Sequence, residues 1–395
     1  MNLTTLYALP GAASVHSLAK FRESPRFVTL DAMRGVAAIA VMQFHYLFNT
    51  RYPWFGQAYY AVDFFFCLSG IILTHAYADR IAAGMRFGEY MGRRLLRFYP
   101  AYLLGVLLGV AMLLDYFIEN SADNFRLRDY VGSVIASALF LPYPNRGSFP
   151  FFGGATITGA LFPVNVPAWS LFFELLASMA LFVAVRVRLR AKPIILVSAA
   201  LLVLALLHYR SANIGWSRDN FLGGFPRTAL AFFFGVALYR GCARMRLGVA
   251  LPPWLLLGLT AAMFACPFGG AAGLAVAALL IPLLLLFGLA DADASGHRRL
   301  FVQLGRISFA IYAIHWPVYH LVAALAAHSP WARQMRGAPL AMAGLASAAV
   351  LAGAYLLTAF IDEPVRRRLG RRLFPPKPRL VAPERAAPEA TARRL

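Results

Sequence analysis

Arg34 and His45 stand eleven residues apart in the apolar run LDAMRGVAAIAVMQFH. Eleven residues are close to three helical turns, so the two side chains share a helix face, about 16 Å apart along its axis. A histidine so placed suits general-base or nucleophilic chemistry, because a carboxylate on one ring nitrogen fixes the tautomer and raises basicity at the other. Two acids reach the depth of His45 in other apolar runs, Asp63 in AVDFFFCLSG and Glu174 in NVPAWSLFFE, so the three can cluster. Ionisable groups inside membrane-length apolar segments are costly to insert and mark function by default. The plainer alternatives are a snorkelling arginine, a histidine that packs, and acids that pair with arginines for assembly.

GRISFAIYAIHWPVY supplies a second histidine. Ser308, Tyr312, His315 and Tyr319 fall at helical spacing and form one polar stripe, with His315 near mid-membrane. Pro317 has no N–H to give the carbonyl of Ala313, which leaves an acceptor open beside that histidine. At the end away from His45, MGRRLLRFYPAY carries Arg93, Arg94 and Arg97. Arg94 and Arg97, a turn apart, can clamp phosphate through their forked donors, although such clusters commonly anchor a span on its basic side. Glu363, in IDEPVRRR, has Arg366 or Arg367 to neutralise, and the GxxxG pair Gly105 and Gly109 points to close helix packing. Ser69, in CLSGI, lacks the glycine pattern of a hydrolase nucleophile elbow and is assigned to packing. Cys67, Cys242 and Cys266 have no metal-ligand spacing, so neither a disulfide framework nor a metal site is expected.

The elements that must position these groups are membrane spans. Hydrophobic residues make up 60% of the 395 and charged residues 14%, well under the roughly 25% charge of soluble domains, which excludes a soluble globule, a nucleic-acid binder and a disordered chain. Apolar stretches long enough to cross a bilayer run roughly over 29–48, 59–79, 99–118, 167–185, 193–208, 225–239, 253–266, 271–290, 304–326 and 339–361, giving an all-α polytopic bundle of about ten helices. Tyr130 to Pro142 is apolar but short. If it does not cross, the segments between spans divide their Lys and Arg 27 to 8, and the richer side is expected to be cytoplasmic with both termini. Counting it as a span would send the clusters Arg186–Lys192 and Arg240–Arg246 to the other side, so it reads as an interfacial or re-entrant element. Met1 to Arg26 lacks the pattern of a cleavable signal, so the first span is expected to be the anchor. The chain then divides into a cytoplasmic segment (1–28), a membrane domain (29–372) and a basic, Pro/Ala-rich tail (373–395) too polar to bury and expected to be disordered.

These residues resemble acyltransferase family 3, the bacterial multi-span membrane O-acyltransferases. LDAMRGVAAIAVMQFH is similar to the family's opening arginine, ten residues, histidine signature. AVDFFFCLSGIIL, RRLLRFYPAY, VPAWSLFFE, GRISFAIYAIHWP and DEPVRRR follow in the family's order over roughly 29–372. AVD stands where GVD is frequent, and FAIYAIHWP where SYxxYLxHxP is usual. Neither change removes a chemical group that the reaction needs. The resemblance implies transfer of an acyl group, acetyl or succinyl, from cytoplasmic acyl-CoA to a hydroxyl of an extracytoplasmic or lipid-linked carbohydrate. Arg34 and His45 would be essential, Arg94 and Arg97 would meet the donor, and Glu174 would belong to the core site. Joined with the residue reading, the expected catalytic set is His45, Arg34, Glu174, Asp63 and His315. His45 would act as general base, oriented by Asp63 or Glu174, or take the acyl group transiently, and His315 or a tyrosine would stabilise the oxyanion. The expected donor set is Arg94, Arg97 and Arg34. No cofactor is expected to be bound permanently, acetyl-CoA being the donor substrate; the partners are the lipid bilayer and a glycan or glycolipid, with no nucleic acid, and the location is the bacterial inner membrane. The competing class is a transporter or flippase of a glycan or acyl compound, against which stands the lack of an internal repeat.

Overall fold

The computed structural model describes residues 16–17, 27–119, 126–145, 147–150, 156–242, 246–247, 251–267, 269–290, 297–328 and 338–375. Of the tail expected to be disordered, residues 376–395 lie outside the described residues, as does nearly all of the segment before 27, whereas Leu373 closes the last helix and Phe374 follows it. Among the described residues twelve α-helices follow in order: α1 (Val28–Leu47), α2 (Ala61–Ala82), α3 (Phe87–Glu119), α4 (Leu127–Ala138), α5 (Trp169–Arg186), α6 (Ala191–Tyr209), α7 (Gly224–Cys242), α8 (Pro253–Ala265), α9 (Gly270–Ala290), α10 (Arg298–His328), α11 (Pro339–Leu357) and α12 (Glu363–Leu373). A π-helical turn, Thr358–Asp362, joins the last two. Strand pairing among the described residues is limited to His16–Ser17 with Arg246–Leu247 and Ser148–Pro150 with Thr156–Thr158. The protein is an all-α membrane helix bundle. Eight stretches are long and apolar enough to cross a bilayer, and α1, diluted by its charged residues, and the thirteen-residue α8 complete the ten expected from the sequence.

Burial ranks the helices from centre to rim. Fourteen of the twenty residues of α1 are buried, whereas α6 buries Ser198 alone and turns Leu196, Leu201, Leu204 and Leu207 outward. In lipid an apolar exterior is the favourable one, so α6 is peripheral and α1 is the axle. Its main partner is α10. A Cβ on Gly35 would lie 2.8 Å from the Leu304 carbonyl oxygen and one on Gly305 2.5 Å from the Asp31 Cβ, so the two backbones nearly touch. The pair runs parallel, since Arg34 meets Ser308 at one end and His45 meets His315 at the other. Parallel partners need an odd number of crossings between them. Helices α2, α3, α5, α6, α7, α8 and α9 supply seven, and α4 as an eighth would reverse α10. α4 has about the length of α8, but it opens on Arg128 and Asp129 where α8 carries no charge, so of the two short helices α4 is the one that does not cross. Its last carbonyls are taken by α3: the Tyr102 hydroxyl donates to Ser137 O (2.7 Å) and that of Tyr99 to Ala138 O.

Irregular backbone does enter the bundle just before α5. Residues Ala160 to Ala168 are buried, a placement tolerated at membrane depth only where side chains or helices satisfy the peptide groups. Gly109 lets α3 pass within van der Waals contact of the Val164 carbonyl, and Gly105 does the same for α10 at Ala313, so the GxxxG face packs against both. The Ala313 carbonyl, deprived of its donor by Pro317, receives the Asn165 amide (Nδ2···O 2.8 Å).

Candidate active site

At one end of the bundle a cavity of about 100 Å³ opens among α1, α2, α3, α5 and α10, lined by Arg34, Arg94, Arg97, Ser69 and Glu174 among apolar side chains. Arg34 donates to Ser308 Oγ (2.9 Å) and the Gly305 carbonyl (2.7 Å), and Asp31 lies 3.1 Å from its guanidinium. Arg94, almost fully buried, donates to Glu174 Oε1 (2.9 Å), and the Ser69 hydroxyl donates to the same oxygen (2.6 Å). The buried Arg94 Nε has no acceptor. Arg97 makes no hydrogen bond or ion pair to the described residues, and the charges that bear on it are those of Arg34, Arg366 and Arg94, offset in part by the carboxylates of Asp31 and Asp362. Four guanidiniums facing two carboxylates, with an open N–H beside them, leave an excess of positive charge of the kind that suits an anion.

Toward the other end lies a cavity of about 290 Å³ lined by His45, Tyr59, Trp169, Trp216 and Trp316, with Asn49 and Asn213 among them. His45 Nδ1 and His315 Nε2 are 3.1 Å apart. His315 Nδ1 faces only carbonyls, those of Tyr312 (2.9 Å) and Ile311 (3.2 Å), so it carries the proton. Neutral His315 therefore has its lone pair on Nε2, and His45 Nδ1–H donates to it. This tautomer, assigned from the network, puts the basic lone pair of His45 on Nε2. A second imidazole thus does for His45 what a carboxylate does elsewhere, holding the ring and selecting its tautomer. Trp316 sits edge-on to the His45 ring at 5.5 Å.

The two cavities share Val62 and Tyr312. The Tyr312 hydroxyl donates to the Pro167 carbonyl (3.0 Å) and lies 2.6 Å from Ser170 Oγ. It is the polar side chain that lines both the arginine chamber and the histidine chamber.

The expected cluster of His45 with Asp63 and Glu174 does not form. Asp63 receives Arg227 through two hydrogen bonds (2.9 and 2.7 Å), and Arg227 also donates to the carbonyls of Ile214 and Tyr59. Glu174 is engaged by Arg94. A carboxylate within reach of a buried guanidinium is drawn there, because either charge alone would be stranded. His315 is also unavailable as an oxyanion donor, since its one N–H is committed to backbone carbonyls. Sequence reasoning missed Ser69, whose i+4 relation to Phe65 and distance from any glycine elbow gave no sign of its bond to a residue 105 positions away. It missed Arg227 as the partner of Asp63, although an arginine inside an apolar run was the available signal. The expected partner of Glu363 is confirmed only for Arg367; its other partner is Arg306, and Arg366 pairs with Asp362.

A polytopic bundle with a guanidinium chamber and an imidazole chamber meeting inside it is built for group transfer between two ligands. Residues 27–359 match the family model for the acyltransferase domain of acyltransferase family 3, and the chain belongs to that family of membrane acyltransferases. It is also similar to "Protein 2 in picA locus" of Rhizobium radiobacter, 36% identical over 162 residues that cover 39% of this chain and 79% of that protein. No solved structure matches the chain.

Proposed function

We infer that this acyltransferase moves a short acyl group from cytoplasmic acyl-CoA to a hydroxyl of an extracytoplasmic or lipid-linked carbohydrate. The observation that carries the reading is the junction of the two chambers at Val62 and Tyr312. Phosphates of the donor rest on Arg97 and Arg34 at the chamber mouth, and Arg94, fixed by Glu174, lines the path of the pantetheine arm. The 27 to 8 division of basic residues makes that end cytoplasmic. The acceptor enters the aromatic chamber, whose Trp and Tyr faces suit the C–H faces of a sugar ring and whose Asn49 and Asn213 amides suit its hydroxyls.

His45 Nε2 takes the hydroxyl proton as the oxygen attacks the thioester carbonyl. The Tyr312 hydroxyl, turning from Pro167, donates to the oxyanion. The C–S bond then breaks, and His45 returns the proton to the CoA thiolate. His315 is a positioning residue: it holds His45 in the tautomer that can accept the proton and accepts from Nδ1–H while His45 is charged. Asp63 acts through Arg227, holding Tyr59 and the backbone at Ile214 in the acceptor chamber's wall.

The test is His45→Gln at normal membrane level. Glutamine keeps a hydrogen bond and roughly the volume but takes no proton near neutral pH, so acylated product falls by about 10² to 10⁴. Near-normal product would remove the chemistry from His45. Mass spectrometry of surface glycans and lipids with and without the protein identifies the acyl group and its acceptor.

A further inference from the structure

The arginine chamber does not end at the residues that line it. Beyond its mouth, α12 lies along the arginine turn of α3: Phe374 fills the space beside Gly92, where a Cβ would sit 2.7 Å from its ring, and the Arg93 guanidinium stands 4.6 Å over that ring. Glu363 ties the start of α12 to α10 by accepting two hydrogen bonds from Arg306 (2.8 and 3.0 Å). The helix is thereby fixed in place, and Arg366 is the arginine it turns inward, 24% exposed against 73% for Arg367; its charge bears on Arg97 together with those of Arg34 and Arg94.

The approach to α12 is unusual. Thr358–Asp362 is a π-helical turn, an irregularity that occurs frequently at functional sites. It carries Asp362 into the interior, 6% exposed, where one carboxylate oxygen meets Arg366 at 2.7 Å. Both ends of that pair are incomplete: the other oxygen, Asp362 Oδ1, and Arg366 Nε are buried and make no hydrogen bond to the described residues. A buried guanidinium N–H without an acceptor costs free energy unless a ligand supplies one. Asp362 orients Arg366 without using all of its donors, and Arg97 uses none of its own.

We propose that the donor site extends onto the terminal helix, where Arg366, oriented by Asp362, joins Arg97 in holding a phosphate group of the acyl-CoA. The inference rests on the donor reading above and adds to it a residue that no cavity-lining argument reaches. The chain of positions is Arg97 from α3, Arg34 from α1 and Arg366 from α12, three helices converging on one anion.

The experiment measures binding of acetyl-CoA, 3′-dephospho-acetyl-CoA and S-acetylpantetheine to the full-length protein in nanodiscs of zwitterionic lipid, for wild type, Arg366→Gln and Arg366→Lys. Loss of one charge-assisted contact weakens acetyl-CoA about tenfold or more in Arg366→Gln, with partial recovery in Arg366→Lys, while S-acetylpantetheine, which has no phosphate, shifts less than twofold. If dephosphorylation of the donor abolishes the effect of Arg366→Gln, the 3′-phosphate is the group held; if the effect persists, it is the diphosphate. Unchanged acetyl-CoA affinity in Arg366→Gln overturns the proposal, as does equal weakening of S-acetylpantetheine, which marks a structural role. An effect of Arg366→Gln that emerges only when anionic lipid is added assigns the arginine to a headgroup and overturns it too. A wild type that binds acetyl-CoA no more tightly than S-acetylpantetheine overturns the donor reading itself, a result distinct from failure at Arg366.

Discussion

Replacing His315 by Leu removes the acceptor that faces His45 Nδ1 at 3.1 Å while leaving both chambers lined as before. The bond matters most when His45 holds the substrate's proton, because Nδ1–H then belongs to an imidazolium. A hydrogen bond to a charged group contributes about 1.5–3 kcal/mol, so its loss in the transition state lowers kcat by roughly 10- to 150-fold. The arginine chamber is untouched, so KM for acetyl-CoA stays within twofold. His315→Gln offers a carbonyl oxygen at about the reach of the original Nε2 and recovers most of the rate. The assay is transfer of radiolabelled acetyl from acetyl-CoA to the glycan fraction of membranes, at several donor concentrations, with protein level matched by immunoblot. Wild-type kcat in His315→Leu would refute the reasoning, because the Val41 carbonyl, which also receives the His45 ring, would then suffice to select its tautomer. A His315→Gln variant as slow as His315→Leu, with donor KM raised in both, would make His315 a packing residue.

Arg97→Ala weakens acetyl-CoA binding by about 10- to 100-fold with little loss of thermal stability, since no carboxylate among the described residues hydrogen-bonds it; Arg94→Ala lowers both, because it strands Glu174, and calorimetry beside ligand binding separates the two. Asp63→Asn leaves Arg227, 3% exposed, without its counter-charge at a cost of about 3–5 kcal/mol, seen as earlier unfolding in a denaturant titration, and Asp63→Asn with Arg227→Met recovers much of it; an unchanged midpoint in the single variant would show that the backbone carbonyls suffice. A membrane-impermeant maleimide added outside labels Asn213→Cys and Ser121→Cys but not Ser295→Cys; the reverse pattern would invert the orientation of the chambers.

What the sequence discloses here is phase along a helix. Eleven residues between Arg34 and His45 place them on one face of α1, and the stripe Ser308, Tyr312, His315 lies on the face of α10 that meets it. The acceptor opened by Pro317 is read from a single ring, and its donor, Asn165, is not. Pairings across the bundle are the unreadable part. Arg227 finds Asp63 across 164 residues and Arg94 finds Glu174 across 80, and no spacing rule tells one buried acid from another as the target of a given arginine. The same limit hid the two-histidine arrangement: with two acids at matching depth, a carboxylate was the natural partner for His45, and only the parallel docking of α1 on α10 brings the second imidazole there instead. The π-helical turn before α12 has no signature in TAFIDEP, since it is set by what its carboxylate meets.

The docking of α1 on α10 has a consequence for how the protein is made. His45 reaches the ribosome exit 270 residues before His315, and at about 5–20 residues per second α1 waits roughly 15–50 s in the bilayer for the helix that completes it. During that interval it holds two charges and an imidazole in one span, the charges within its first two turns, where each costs less than the about 2.5–3.5 kcal/mol of a charge at the helix centre. Asp31 and Arg34, one turn apart and 3.1 Å from each other, neutralise one another from within the same helix and need nothing downstream. That short-range pair makes α1 insertable on its own, and the face that carries His45 is held in reserve until α10 arrives. Chains arrested before α10 therefore expose a polar stripe to lipid, the kind of surface on which membrane quality-control proteases act, and synthesis of this enzyme is committed to its last third before its first helix is safe.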